Sequence, residues 1–199
     1  MHIPTVDLTA FCFLRSWFAY LRERGHRVTL ICGVDQFREL LQAEVDDLID
    51  VKIPRRIEPL QDVRALLQLN RTLARLKPDI VHTHTTKAGI LGRLASRWTA
   101  LGRSWKGERQ VTMHTIHELP HNSTQNRWLK LVYAGVEKLA SPLADHYVTV
   151  SEVNRQQILG EGFCGRERLT VIPNGLHLEN YRVTQEAASL RAQWAIPPG

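Results

Sequence analysis

A chain of 199 residues with 43% apolar and 23% charged side chains has the composition of an ordinary globular domain and the length to bury one core. Lys and Arg outnumber Asp and Glu by 26 to 20, and the formal charge of +6 favours an anionic partner (a phosphate, a nucleic acid or an anionic membrane surface) unless it marks only a mildly basic surface. No apolar run approaches a membrane span and no signal peptide is visible; three scattered cysteines without a Cys-x-x-Cys pair exclude a disulfide framework and a cysteine zinc site, so a reducing cytoplasm is expected.

Residues 2–6 read as a short, clipped strand weakened by Pro4. Asp7-Leu8-Thr9 is expected as a turn, with Thr9 capping a helix whose apolar face is Phe11, Leu14, Trp17, Phe18 and Leu21. Gly25 supplies its stop. The run VTLIC at 28–32 predicts a buried strand, followed by Gly33 and a helix from Asp35 to about Ala43. Val51-Lys52-Ile53 predicts a short strand closed by Pro54. Leu60, Val63, Leu66, Leu67, Asn70, Leu73, Ala74 and Lys77 then trace one stripe of a helix that ends at Lys77-Pro78.

Asp79-Ile80-Val81 predicts a buried strand, and the polar run at 82–86 (HTHTT) a turn at its end. From Lys87 the spacing becomes helical, with Ile90, Leu91, Leu94, Ala95 and Trp98 on the apolar side and Arg93 and Arg97 opposite. A polar loop at 102–108 leads to a strand at 110–116, whose end carries His114, Thr115 and His117. A loop at 118–125 precedes a helix over about 127–144, with Leu129, Val132, Val136, Leu139 and Leu143 on one side. Residues 145–150 predict a strand, Ser151 the cap of the next helix, and 169–172 a last strand closed by Pro173-Asn174-Gly175. A further short helix is expected over about 186–194. Strands and helices alternate throughout, which implies an α/β domain: a doubly wound, mainly parallel sheet with helices on both faces. In such sheets ligands bind in the turns after the strands.

Motifs narrow the chemistry. His117-Glu118-Leu119-Pro120-His121 matches the letters of the zinc-protease pattern, which needs both histidines one turn apart on a regular helix. Pro120 sits where that helix would need a donor, so zinc hydrolysis is the weakest of the readings considered. His82 and His84 would share a face of an extended strand, but no further metal ligands can be identified, and they read as polar residues of the sheet rim rather than a metal site. Lys87 stands at a helix start, where amides attract anions; a solvated lysine is the alternative. There is no Gly-x-Gly-x-x-Gly, P-loop, Gly-x-Ser-x-Gly elbow or nucleic-acid module, which disfavours dehydrogenases, phosphate-loop nucleotidases, serine hydrolases and nucleic-acid partners. The Asn122-Ser123-Thr124 sequon reads as an accident of loop composition.

Four segments in series carry a resemblance: PDIVHTH at 78–84 with Lys87-Ala88-Gly89, Thr115-Ile116-His117, VTVSE at 148–152 and VIPNG at 171–175. In order and spacing they resemble the N-terminal, acceptor-side domain of a family 4 glycosyltransferase, a retaining enzyme with two Rossmann-like domains facing a cleft (the GT-B fold). The resemblance implies a nucleotide-sugar donor as co-substrate with no resident cofactor, and a glycan or lipid-linked acceptor at the cytoplasmic membrane face, with peripheral membrane contact. It implies that His117 is the cleft histidine near the transferred sugar. It places His84, Thr85 and Lys87 in an acceptor-side loop with Asp7, Thr9 and Thr115, and Ser151 and Glu152 in a second cleft loop. Asn174 and Gly175 fall in the turn towards the linker, where positive φ would explain the glycine. Where family members commonly carry glycines in the first strand-to-helix turn, this chain has Val6-Asp7-Leu8-Thr9. Residues 1–176 are thus expected to form the domain and 177–199 a linker. The second domain, with its glutamate pair and diphosphate-binding helix, is not among these residues. The chain alone is therefore expected to be inactive, with a separate donor-binding domain or subunit as its partner. The alternative is a non-catalytic module that binds a ligand or a partner.

Overall fold

Burial alternates along the central strands, and each face of the sheet has its own helical cover. The computed structural model describes residues 1–104, 109–119, 127–175 and 193–195. Its strands are β1 (His2–Ile3), β2 (Thr29–Cys32), β3 (Asp47–Asp50), β4 (Ile80–His84), β5 (Val111–Ile116), β6 (His146–Thr149) and β7 (Leu169–Val171). The helices are α1 (Asp7–Phe13), α2 (Arg15–Glu23), α3 (Arg38–Glu44), α4 (Pro59–Leu76), α5 (Thr86–Ser104), α6 (Arg127–Ala140) and α7 (Glu152–Gly160). Leu30 and Cys32 of β2 pack on Ala10, Leu14 and Phe18 of α1 and α2 and the segment joining them, whereas Ile31 and Ile3 point the other way, into Leu69 and Leu73 of α4 and Leu91 and Ala95 of α5. The described strands run parallel in the order β3-β2-β1-β4-β5-β6-β7. The expected doubly wound architecture is the one found. The winding reverses at β1, where His2 pairs with Leu30 on one side and His82 on the other, so the crevice for a ligand opens at the carboxyl ends of β1 and β4.

Several boundaries differ from the sequence reading. Thr9 does not cap the first helix: Val6 is extended at its start, and Thr9 lies inside the first turn. The third strand falls on Asp47–Asp50 rather than 51–53. Its acidic residues are those of a sheet edge: Asp47 takes Arg27 and the Thr29 hydroxyl, and Asp50 accepts from the Val34 amide. The polar run after Val81 belongs to β4 as far as His84, and the turn shrinks to Thr85. Towards the sheet α4 presents Ala65, Leu69, Thr72 and Leu73, leaving Leu60, Val63 and Leu67 exposed. On α6, Val132, Val136 and Leu139 are exposed while Glu137 is buried. Gly175 lacks the positive φ proposed for it. The helix expected over 186–194 lies almost wholly outside the described residues.

The largest correction concerns Arg93, placed on the polar side of its helix by periodicity but fully buried. Glycines make this possible: a Cβ on Gly89 would stand 2.4 Å from His114 Cε1, and one on Gly92 2.6 Å from Thr83 Cγ2, so α5 lies directly against β4 and β5. Arg93 Nε donates to the Gly89 carbonyl (2.9 Å), Nη1 to the Tyr147 hydroxyl (2.7 Å) and Nη2 to Glu137 Oε2 (2.9 Å). Tyr147 in turn donates to the Ser141 carbonyl at 3.0 Å. One guanidinium thus ties α5, α6 and β6 together. Breaking a buried pair leaves the surviving charge without compensation. Glu137→Gln is expected to lower unfolding free energy by about 3–5 kcal/mol in urea denaturation.

Candidate active-site cleft

At the carboxyl ends of β4, β5 and β6 the chain encloses a cavity of about 290 Å³, lined by Thr85, Thr86, Thr115, His117, Glu118 and Glu137 among others. Its rim is built by local chemistry. Thr85 sits at φ 61°, a left-handed conformation unusual for a β-branched residue and costing roughly 1–3 kcal/mol. Two contacts hold it: its carbonyl accepts from the Gly89 amide (2.8 Å), opening α5, and its hydroxyl meets that of Thr5 at 2.5 Å, bridging the β1 and β4 turns across the switch point.

His117 follows β5 in a bend. Its ring tilts against Phe13, centroids 5.3 Å apart, and both ring nitrogens are buried without a hydrogen-bond partner. The neighbouring turn positions it. Ser151 caps α7 by accepting from the Asn154 amide (3.1 Å), and Asn154 Nδ2 donates to the His117 carbonyl (3.1 Å). The serine cap read from the sequence is therefore present, and it reaches the site through Asn154.

The expected site residues divide into groups. Thr85, Thr115 and His117 line one cavity, and His84 is buried behind them, its ring 5.7 Å from that of His117. Asp7 is structural: its Oδ1 accepts from the Leu8 amide and its Oδ2 from those of Asp35 and Phe37, organising the entry to α3. Thr9 is partly exposed on α1. Lys87 pairs with Asp62 at 2.7 Å and donates to the Arg56 carbonyl, so its charge fastens α5 to α4 rather than meeting an anion in the cavity. Glu152 pairs with Arg155 at 2.7 Å, and Asn174 is exposed beyond β7. His114, Glu137, Tyr147 and Phe163 also line the cavity and were missed. Only Gly89, spaced to admit a side chain from β5, hinted at His114. Of the zinc-protease letters, His117 and Glu118 stand in a bend rather than a helix, and His121 lies outside the described residues.

Burial makes the histidines of this region poor bases. It lowers His82 to about 3 and holds His2, His84 and His114 well below the ordinary value, reinforced by neighbouring imidazoles and, at His114, by Arg93. Burial lowers His117 as well. At neutral pH the cleft thus offers imidazoles, each with one donor and one acceptor, and not imidazolium charge.

Residues 13–180 match Glycosyltransferase Family 4. The chain belongs to glycosyltransferase family 4. Over 165 residues this family 4 chain is 32% identical to the UDP-Gal:alpha-D-GlcNAc-diphosphoundecaprenol alpha-1,3-galactosyltransferase of Escherichia coli, covering 82% of this chain and 41% of that protein. It is 23% identical to the capsular polysaccharide biosynthesis glycosyltransferase CapM of Staphylococcus aureus, over 92% of this chain and 46% of the relative. In fold it is similar to a glycosyltransferase from Rickettsia africae (TM-score 0.63, 17% identity, 100% of this chain, 50% of the other). The UDP-GlcNAc 2-epimerase of Neisseria meningitidis bound to UDP-GlcNAc shares that fold (TM-score 0.61, 17% identity, 100% and 54%). The family 4 chain spans less than half the length of these two curated relatives.

The neutral histidines set a pH dependence. Because their folded pKa values lie below the unfolded value near 6.5, the unfolded chain binds more protons as pH falls through that value. Unfolding free energy, measured with urea in chelator-containing buffer, is expected to hold level above pH ~7 and to fall below ~6.5, by about 1.4 kcal/mol per pH unit for each histidine still neutral in the fold.

Proposed function

We propose that this chain is the acceptor-side half of a retaining glycosyltransferase, which passes a sugar from a nucleotide-sugar donor to a lipid-linked or polysaccharide acceptor. The observation that carries the reading is His117: a half-buried imidazole whose two shielded nitrogens have no protein partner, on the wall of a cavity at the carboxyl ends of a doubly wound sheet. Structural histidines use at least one nitrogen, whereas this ring keeps both for a ligand.

The substrates in the name of the Escherichia coli relative suggest their class here: a UDP-sugar as donor and a GlcNAc-diphosphate-polyprenol as acceptor, whose diphosphate suits a chain of formal charge +6. As the donor's diphosphate departs, the sugar gains positive character. A neutral His117 can bind a hydroxyl of the sugar or acceptor without adding like charge beside it, which an imidazolium would do. Stabilisation of the leaving diphosphate falls to the donor-binding half, supplied by a domain to which residues 177–199 lead or by a separate subunit. No resident cofactor is invoked. Phe13 (44% exposed), against His117, and Val153 (74% exposed), in the first turn of α7, give the rim the apolar character of a face that another domain covers. No described helix is long and apolar enough to cross a membrane. Peripheral contact at the cytoplasmic face would use the exposed Trp128, Leu131 and Leu139 of α6 with the basic Lys138.

Two assays on the 199-residue chain test this reading. It is expected to bind a short-chain GlcNAc-diphosphate lipid, and His117→Ala to weaken that binding about 10-fold or more, as the loss of a buried hydrogen bond to a charged or polar group does. Incubated with UDP-sugars and the same acceptor it is expected to show no transfer. Transfer by this chain alone would overturn the half-enzyme reading, and acceptor binding indifferent to His117→Ala would overturn the site.

A further inference from the structure

One imidazole from β1 and two from β4, 80 residues on, meet on one face of the sheet. The register that pairs His2 with His82 sets His84 two residues further along the same face of β4. His2 Nδ1 and His84 Nε2 are 3.2 Å apart, with their rings stacked at 5.5 Å and 17°. The ring of His82 lies 4.3 Å from that of His84 and 5.3 Å from that of His2. One ring nitrogen from each of the three falls within 4.8 Å of the other two.

Hydrogen bonding alone does not account for the cluster. A neutral imidazole has one N–H and one lone pair. Whichever of His2 and His84 donates in their contact, His84 Nδ1 is left buried without a partner. His84 is 1% exposed, so water does not relieve it. His82 Nε2, by contrast, is engaged by the Thr115 hydroxyl at 2.7 Å, which leaves its Nδ1 as the free ligand atom. A hydroxyl orienting the far nitrogen of an imidazole is the support that metal-bound histidines characteristically have.

We propose that His2, His82 and His84 bind one zinc(II) ion, with water or hydroxide in the fourth position. Zinc takes imidazole nitrogens at about 2.0–2.1 Å, which in a tetrahedron spaces them by about 3.4 Å. The His2–His84 pair at 3.2 Å is already close to that spacing, and metal binding would draw in His82, whose ligand atom lies within 4.8 Å of both. A metal uses the lone pairs of both facing nitrogens, where a hydrogen bond uses only one. The three ligands are neutral, so hydroxide in the fourth position reduces the charge that the buried ion brings. The site uses neither Glu118 nor His121, and it does not depend on the glycosyl-transfer reading.

The test uses the 199-residue chain, prepared without a polyhistidine tag, stripped with chelator and titrated with zinc chloride. Metal retained after gel filtration is counted by mass spectrometry, and cobalt(II) substitution reports coordination number through its visible d–d bands. The expected result is one zinc per chain and a four-coordinate cobalt spectrum. His84→Ala and His82→Gln are each expected to weaken zinc binding by at least about 10-fold, while His26→Ala, at an exposed position before β2, leaves it unchanged. His82→Gln keeps a polar group for Thr115 and is checked for folding by circular dichroism. Absence of stoichiometric zinc in the parent chain, or undiminished zinc binding by folded His82→Gln, would overturn the proposal.

Discussion

One buried guanidinium sets the geometry on which the cleft depends. Arg93 can occupy the interior because Gly89 and Gly92 bring α5 against β4 and β5, and because Glu137, Tyr147 and the Gly89 carbonyl together satisfy its donors. An isolated buried charge would be prohibitive, so the arrangement holds only with all partners in place. Its consequence is positional. Glu137 and Tyr147 become part of the cavity wall, and the start of α5 is fixed where Thr85 must turn at positive φ to meet it.

Above that anchor the cleft is electrostatically quiet. Lys87, which the sequence offered to an anionic ligand, is committed to Asp62, and Arg93 to Glu137. Hydroxyls and neutral imidazoles face the cavity beside the apolar Ile116, Leu119 and Phe163, with Glu118 at the margin and Glu137 held by Arg93. In the proposed reading the polar part of this wall meets sugar hydroxyls, which need directional donors and acceptors, and diphosphate stabilisation falls to a donor-binding half.

How much of this was legible from sequence differs by element. Strands of continuous apolar character, such as β2, and elements with local signatures, such as the Ser151 cap, were readable because neighbours in sequence determine them. The α/β class and the parallel, doubly wound sheet followed from alternation, whereas the order of the strands did not. Edge strand β3 was displaced because its acidic residues pair with Arg27, Thr29 and the Val34 amide, partners that only the fold supplies. Arg93 was assigned to solvent because helical periodicity sees charge but not Glu137, 44 residues away. Of the residues expected at the site, Thr85, Thr115 and His117 line one cavity, whereas Asp7 and Lys87 are engaged by the backbone around α3 and by Asp62. His2 joined His82 and His84 through strand order, which no spacing rule reveals.

The central claim is that the cavity beside His117 receives the acceptor. Histidine-selective NMR of the labelled chain, titrated with a short-chain GlcNAc-diphosphate lipid, addresses it directly, because the described histidines include His117 in the cleft, His84 behind it and His26 and His146 away from it. The account predicts saturable shifts at His117, smaller ones at its neighbour His84, and none at His26 or His146. Unmoved His117 resonances, or shifts led by His26 or His146, would contradict it.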